Sequence, residues 1–246
     1  MKNCLNREYR INISTQRIYR LMKGMKLPKM STVKPFYPKH RTASDEQCPN
    51  VLKQRFDPSE PNKVWVCDFT YLRAAGRFYY LCVILDLFSR KVIAYKLSPS
   101  LNTKLAIETL DMAVANRNAS NGVIFHSDRG CQFTSEAFRK HLDELNIVQS
   151  FSAKGHPYDN AVMECFFKYL KKEETDRRTY SSFDELKLSI FEYIHSFYNS
   201  FRPHSHNNGL SQSGRSEFSV NFVLLLVHFI DYSPGCGSVS FGLFLF

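Results

Sequence analysis

A chain of 246 residues with 33 Lys and Arg against 23 Asp and Glu has room for one sizeable core plus a small accessory region, and its net charge of +10 suits a polyanionic partner. The charge is uneven: residues 1–41 hold eleven Lys and Arg against one acid, Glu8, while the other 205 residues balance 22 basic with 22 acidic side chains. Seven cysteines without a C-x-x-C pair argue against a zinc site or a disulfide framework and for a reducing compartment. The opening MKNCLNREYR lacks the apolar core of a signal peptide, so the cytoplasm is the expected location, close to nucleoid DNA.

Residues 1–30 form a basic region with one predicted helix, 14–27, which Ser14 can cap. Ile18, Leu21, Met22 and Met25 follow i, i+3, i+4, i+7 spacing, and Arg17, Arg20 and Lys23 lie off that stripe. This pattern fits part of a helix-turn-helix set against a DNA backbone, and equally an amphipathic helix with a solvated basic face. Residues 31–62, rich in Pro, Lys and polar residues without periodicity, are expected to be a linker.

From Lys63 the pattern changes. Apolar, β-branched and aromatic runs at 63–72, 77–88 and 91–97, separated by Ala75-Gly76 and Ser89-Arg90, predict an antiparallel meander. A helix over 102–118, with Leu105, Leu110 and Ala113 inward, precedes a strand at 123–126 and a helix at 134–146 capped by Thr134 or Ser135. A strand at 147–151 and helices at 159–175 and 183–201 complete the order. Such a β-β-β-α-β-α-β-α-α succession is that of an α/β, ribonuclease-H-like fold: a mixed five-stranded sheet flanked by helices, its first strand central and its fourth beside it. Cys67, Cys82 and Cys165 fall among apolar residues and are expected to be buried thiols. Residues 212–246 form an atypical apolar tail. Its run FVLLLVHFI is far short of the roughly 20 residues that span a bilayer, so no membrane role is expected.

Three acids carry the chemistry: Asp68 in VWVCDFTYL, Asp128 in IFHSDRGCQF and Glu164 in GHPYDNAVMECFFK, with 35 residues between the last two. An acid within a strand, one at a neighbouring strand end and one on a helix can converge on two hard cations that align phosphodiester chemistry. Singly, each has an ordinary explanation: a hydrogen-bonded strand residue, a turn residue, and an i, i+4 partner of Lys168. On the Glu164 helix, Val162, Phe166, Phe167 and Leu170 form the apolar stripe. Glu164, Lys168 and Lys171 share another side, suited to an acid at the metals with lysines on phosphates, or to a solvated charged face. Asp159 and Asn160 are expected to cap this helix.

Four words occur in order between residues 63 and 211: W-x-x-D-F-T-Y from Trp65, H-S-D-R-G-x-Q-F from His126, G-x-P-x-D-N-A-x-x-E from Gly155, and Y-N-x-x-R-P-H from Tyr198. Together they resemble the catalytic core of insertion-sequence transposases of the second-reading-frame (OrfB) type, which is similar to that of retroviral integrases. The resemblance implies that Asp68, Asp128 and Glu164 are a metal-binding catalytic triad using two Mg²⁺, with Mn²⁺ as an alternative. It implies 3′-end nicking followed by strand transfer, with no covalent protein–DNA intermediate. The implied partners are transposon-end and target DNA, a first-reading-frame protein, and further copies of the chain on DNA. The expected DNA contacts are Arg17, Arg20, Lys23, His126, Lys168, Lys171 and Arg202; His126 otherwise supports its strand, and Arg202 and His204 otherwise brace the last helix. Two departures from the family pattern, an N-terminal region that opens just ahead of the Arg17 helix and the Phe-rich tail after Ser211, set an alternative: a catalytically inactive DNA-binding remnant of a disrupted transposase.

Overall fold

A computed structural model describes residues 2–25, 48–118, 122–153, 157–207 and 211. The core is a five-stranded sheet in the order β3-β2-β1-β4-β5. β1 (Val64–Ala74), β2 (Arg77–Asp86) and β3 (Val92–Ser98) form the expected antiparallel meander, and β4 (Ile124–Ser127) and β5 (Val148–Phe151) add in parallel beside β1. The β1–β2 turn uses positive φ at both Ala75 (47°) and Gly76 (74°), the twist that a two-residue hairpin requires.

Alternation along β1 feeds two cores, one on each face of the sheet. Val64, Val66, Leu72 and Ala74 face α6 (Ala161–Glu173) and α7 (Phe183–Phe191), which contribute Met163, Phe166, Leu170, Leu186 and Ile190. Trp65 and Cys67 face the other way, toward α3 (Thr103–Arg117), the short α4 (Cys131–Thr134) and α5 (Glu136–Glu144). Asn102 caps α3 through the N–H of Leu105, and Ser135 caps α5 through that of Phe138, so Ser135 rather than Thr134 starts that helix.

Three local expectations need correction. The last helix does not run evenly to 201: after α7 the backbone widens into a π-helix over Glu192–Tyr198. This widening seats Asn199, whose side chain takes the N–H and meets the C=O of Val92 at 3.0 Å each. Residues 48–62 do not behave as a linker. Cys48 and Leu52 are buried, and the N–H groups of Val51 and Leu52 both donate to Ser150 Oγ at 3.0 Å. Cys165 is exposed on α6, whereas Cys67 and Cys82 are buried with their sulfurs 3.6 Å apart.

The basic N-terminal part holds two helices, α1 (Lys2–Tyr9), which shows no signal in the periodicity, and α2 (Thr15–Gly24), capped by Ser14. Of the proposed stripe on α2 only Ile18 is buried; Leu21 and Met25 are more than half exposed. Most of the proposed linker and the apolar tail, 26–47 and 212–246, lie outside the described residues. No helix among the described residues is long and apolar enough to cross a membrane.

Candidate active site

The parallel pairing of β1 with β4 places Val66 opposite His126. Two residues further along each strand stand Asp68, still within β1, and Asp128, just past the end of β4. The third acid, Glu164, lies in the first turn of α6, on the helix face opposite the buried Met163, Phe166, Phe167 and Leu170. The central strand β1, the end of its neighbour β4 and the start of α6 therefore carry one of these carboxylates each.

The electrostatics centre on Asp68. The carboxyl of Asp68 is held well above the usual carboxylate range, first by burial, then by the charge of Asp128, with Glu164 adding to it. The Phe69 N–H, 2.7 Å from Asp68 Oδ1, and the ammonium of Lys171 act in the opposite direction. Burial also raises Glu164. Asp128 is exposed, and its Oδ1 accepts the Gly130 N–H at 3.0 Å. A Cβ at position 130 would crowd this contact, standing 3.0 Å from that same oxygen and 3.1 Å from Gln132 Oε1. As they stand, no three His, Cys, Asp or Glu side chains among the described residues are close enough to grip a single ion. The donor set nonetheless suits a hard divalent cation: oxygen-only ligands whose like charges repel one another.

The expected DNA contacts separate into two groups. Arg17, Arg20 and Lys23 are exposed on α2, and Lys168 is exposed on α6. Lys171 is half-buried, its ammonium 4.8 Å from the centre of the Tyr71 ring and within the field of Asp68. His126 and Arg202 are committed elsewhere. His126 is fully buried, with Nδ1 2.9 Å from Ser150 Oγ and Nε2 3.2 Å from Ser152 Oγ. Burial pushes its imidazole down to about 4, so it is a neutral strand residue and does not reach a phosphate. Arg202 grips Glu173, at the end of α6, with Nε and Nη2 each 2.9 Å from a carboxylate oxygen, and lies 3.8 Å over the Tyr169 ring. It braces the helix.

Asn160 stands at the N-cap of α6, but its side chain takes no hydrogen bond from the helix start. Asp159 instead accepts from Asn50, Gln54 and Ala153, and Asn160 donates to the carbonyl of Cys67. Nothing in local spacing signals these partners, because Asn50 and Gln54 are more than a hundred residues from Asp159.

Comparison with known proteins bears on the family and the fold. The Integrase core domain family matches residues 58–157, and a second Integrase core domain family matches residues 164–214. The transposase for insertion sequence element IS904 of Lactococcus lactis subsp. lactis (strain IL1403) is 34% identical over 208 residues, covering 85% of this chain and 81% of that protein. Transposase InsF for insertion sequence IS3A of Escherichia coli (strain K12) is 41% identical over 162 residues, 66% of this chain and 56% of InsF. In fold, the chain is similar to a chain of the simian T-cell lymphotropic virus intasome in complex with PP2A regulatory subunit B56 gamma. There the TM-score is 0.54 at 15% identity, over 99% of this chain and 81% of the other. A mixed sheet of this order, matched over most of its length by a curated relative, places the chain in the integrase-core transposases of bacterial insertion sequences, a family of polynucleotidyl transferases with a ribonuclease-H-like core.

Proposed function

We propose that the chain catalyses metal-dependent 3′-end nicking and strand transfer of an insertion sequence, with Asp68, Asp128 and Glu164 as the acids that hold the metal. The observation that carries this reading is that Asp68 and Asp128 each lie two residues beyond the paired Val66 and His126, with Glu164 at the start of α6 close enough to act on Asp68. A helix or a turn holding one acid has a structural explanation; three converging negative charges on rigid elements call for a cation. Asp68 and Asp128 would share one ion between the adjacent strands, and Glu164 would complete the set for a second. When bound, a pair of Mg²⁺ or Mn²⁺ ions activates the attacking oxygen and stabilises the leaving one. The protein's part is to hold the carboxylates in place and to receive the DNA backbone.

Lys168 follows Glu164 by four residues along α6, and Lys171 stands beside Asp68, so both suit phosphates next to the reacting bond. The exposed Arg17, Arg20 and Lys23 on α2 suit backbone contacts away from it. In this reading the protein works on transposon-end and target DNA in the bacterial cytoplasm, as a multimer assisted by a first-reading-frame partner.

The test is nicking and strand joining on a duplex bearing the element's terminal repeat, with Mg²⁺ or Mn²⁺ and the first-frame partner supplied. Metal-dependent products that vanish in Asp68→Asn and Glu164→Gln are expected. A soluble protein that binds this DNA without forming product would make it an inactive binding remnant instead.

A further inference from the structure

We infer that Asp159 is a positioning residue for the carboxylate site: through the segment 48–54 it sets where the helix bearing Glu164 begins relative to Asp68 and Asp128. The inference rests on the reading of those three acids as the catalytic set.

Asp159 is 2% exposed and takes three hydrogen bonds. Its Oδ2 accepts from Asn50 Nδ2 at 2.8 Å and from the Ala153 N–H at 2.7 Å, and its Oδ1 accepts from Gln54 Nε2 at 2.6 Å. None of these donors belongs to α6. They come from the turn that precedes β1 and from the chain leaving β5. A buried carboxylate with three donors is held firmly, because losing them would leave its own oxygens away from water and unpaired.

That turn is itself anchored to the sheet. The N–H groups of Val51 and Leu52 donate to Ser150 Oγ, and the Phe151 N–H donates to the Pro49 carbonyl at 2.9 Å. Ser150 Oγ also meets Nδ1 of His126, two residues before Asp128, and the His126 imidazole lies within the field of Asp159. On the other side, Asn160 Nδ2 reaches the carbonyl of Cys67, the residue before Asp68, at 3.5 Å. One polar network therefore touches the segments that carry all three acids. Glu164 comes little more than one helical turn after Asp159, and its own side chain is exposed. Its place is accordingly set by where the helix starts. Groups that orient metal ligands from behind typically change metal affinity tenfold or more when removed.

The experiment compares the wild-type chain with Asp159→Ala, Asp159→Asn and the double variant Asn50→Ala/Gln54→Ala. Mn²⁺ binding is followed by the loss of the free-ion electron paramagnetic resonance signal, DNA binding by fluorescence anisotropy, and turnover by strand joining. Asp159→Ala and the double variant should each bind Mn²⁺ about tenfold more weakly and join strands more slowly at fixed Mn²⁺, with the Kd for DNA within about twofold of wild type. Asp159→Asn keeps two acceptor contacts and can pair its amide with a turned Gln54 amide, so it should retain most of both properties. If Asp159→Ala fails to fold, the double variant carries the test, since its changes lie on a partly exposed segment. Unchanged Mn²⁺ affinity in a folded double variant overturns the inference. If wild-type Mn²⁺ binding survives Asp68→Asn, the triad reading falls as well; if Asp68→Asn abolishes it and the Asp159 and Asn50/Gln54 variants do not, only the positioning role falls.

Discussion

Asp68 and Asp86 lie on the neighbouring strands β1 and β2, three ladder positions apart, in contrasting surroundings. Asp86 is fully buried and saturated: Oδ1 takes the Asn62 N–H, and Oδ2 takes both the N–H and the hydroxyl of Ser89, while Lys91 and Arg117 lie in its field. Asp68 is half-buried, takes the N–H of the residue beside it, and faces two further acids. Burial of a carboxylate is therefore not a mark of function. What surrounds it decides: donors and cations make a structural anchor, whereas other carboxylates make a site that needs a cation to settle it.

This contrast gives the largest expected effect on stability. Asp86→Ala strands three donors and removes the countercharge of two buried cations, which should cost about 4 kcal/mol in urea unfolding. Asp68→Asn should leave the same measurement unchanged or slightly raised, because it relieves repulsion. Equal losses at both positions would erase the distinction. Arg202 extends the comparison to α6: Arg202→Ala leaves Glu173 partly buried with its guanidinium partner gone, and about 3 kcal/mol of stability should go with it.

A smaller effect depends on pH. Burial, reinforced by Lys91 beside His195 and by Arg202, Arg90 and His206 around His204, pushes both imidazoles down to about 4. Between about 6.5 and about 4 the unfolded chain then binds protons that the folded chain refuses. Stability should be full above that window and decline as pH falls through it. Substituting both residues with Gln should make this part of the profile shallower than in wild type, His126 supplying slope that remains. The smallest effect is at the β1–β2 turn, where Ala75 holds a positive φ that alanine adopts poorly. Asn at this position should raise stability by about 0.5–1 kcal/mol, read as a higher melting temperature.

Most of the framework was legible from local signals. Alternating runs marked the meander, Ala75-Gly76 marked its turn, and Asn102 and Ser135 sat where helices begin. The three acids were legible too, through the words that surround them. What spacing could not reveal was the network behind them. Asn50, Gln54, Ser150 and Asp159 are polar residues in stretches without periodicity, and they acquire meaning only when the fold brings positions about a hundred apart into contact. For the same reason residues 48–62 read as part of a linker, and Arg202 as a DNA contact or a brace, since its partner Glu173 lies 29 residues away. The π-helix that seats Asn199 leaves no trace in the apolar pattern, because Phe197 and Tyr198 are both aromatic and either continues the spacing from Ile190 and Ile194.

The claim that Asp68, Asp128 and Glu164 form one metal-binding centre is tested most directly by crystals soaked in Mn²⁺ and measured at the manganese absorption edge. An anomalous peak between the Asp68 and Asp128 carboxylates, absent from crystals of Asp68→Asn, is the predicted result. No peak at that position under saturating Mn²⁺, or a peak held by other side chains, would contradict it.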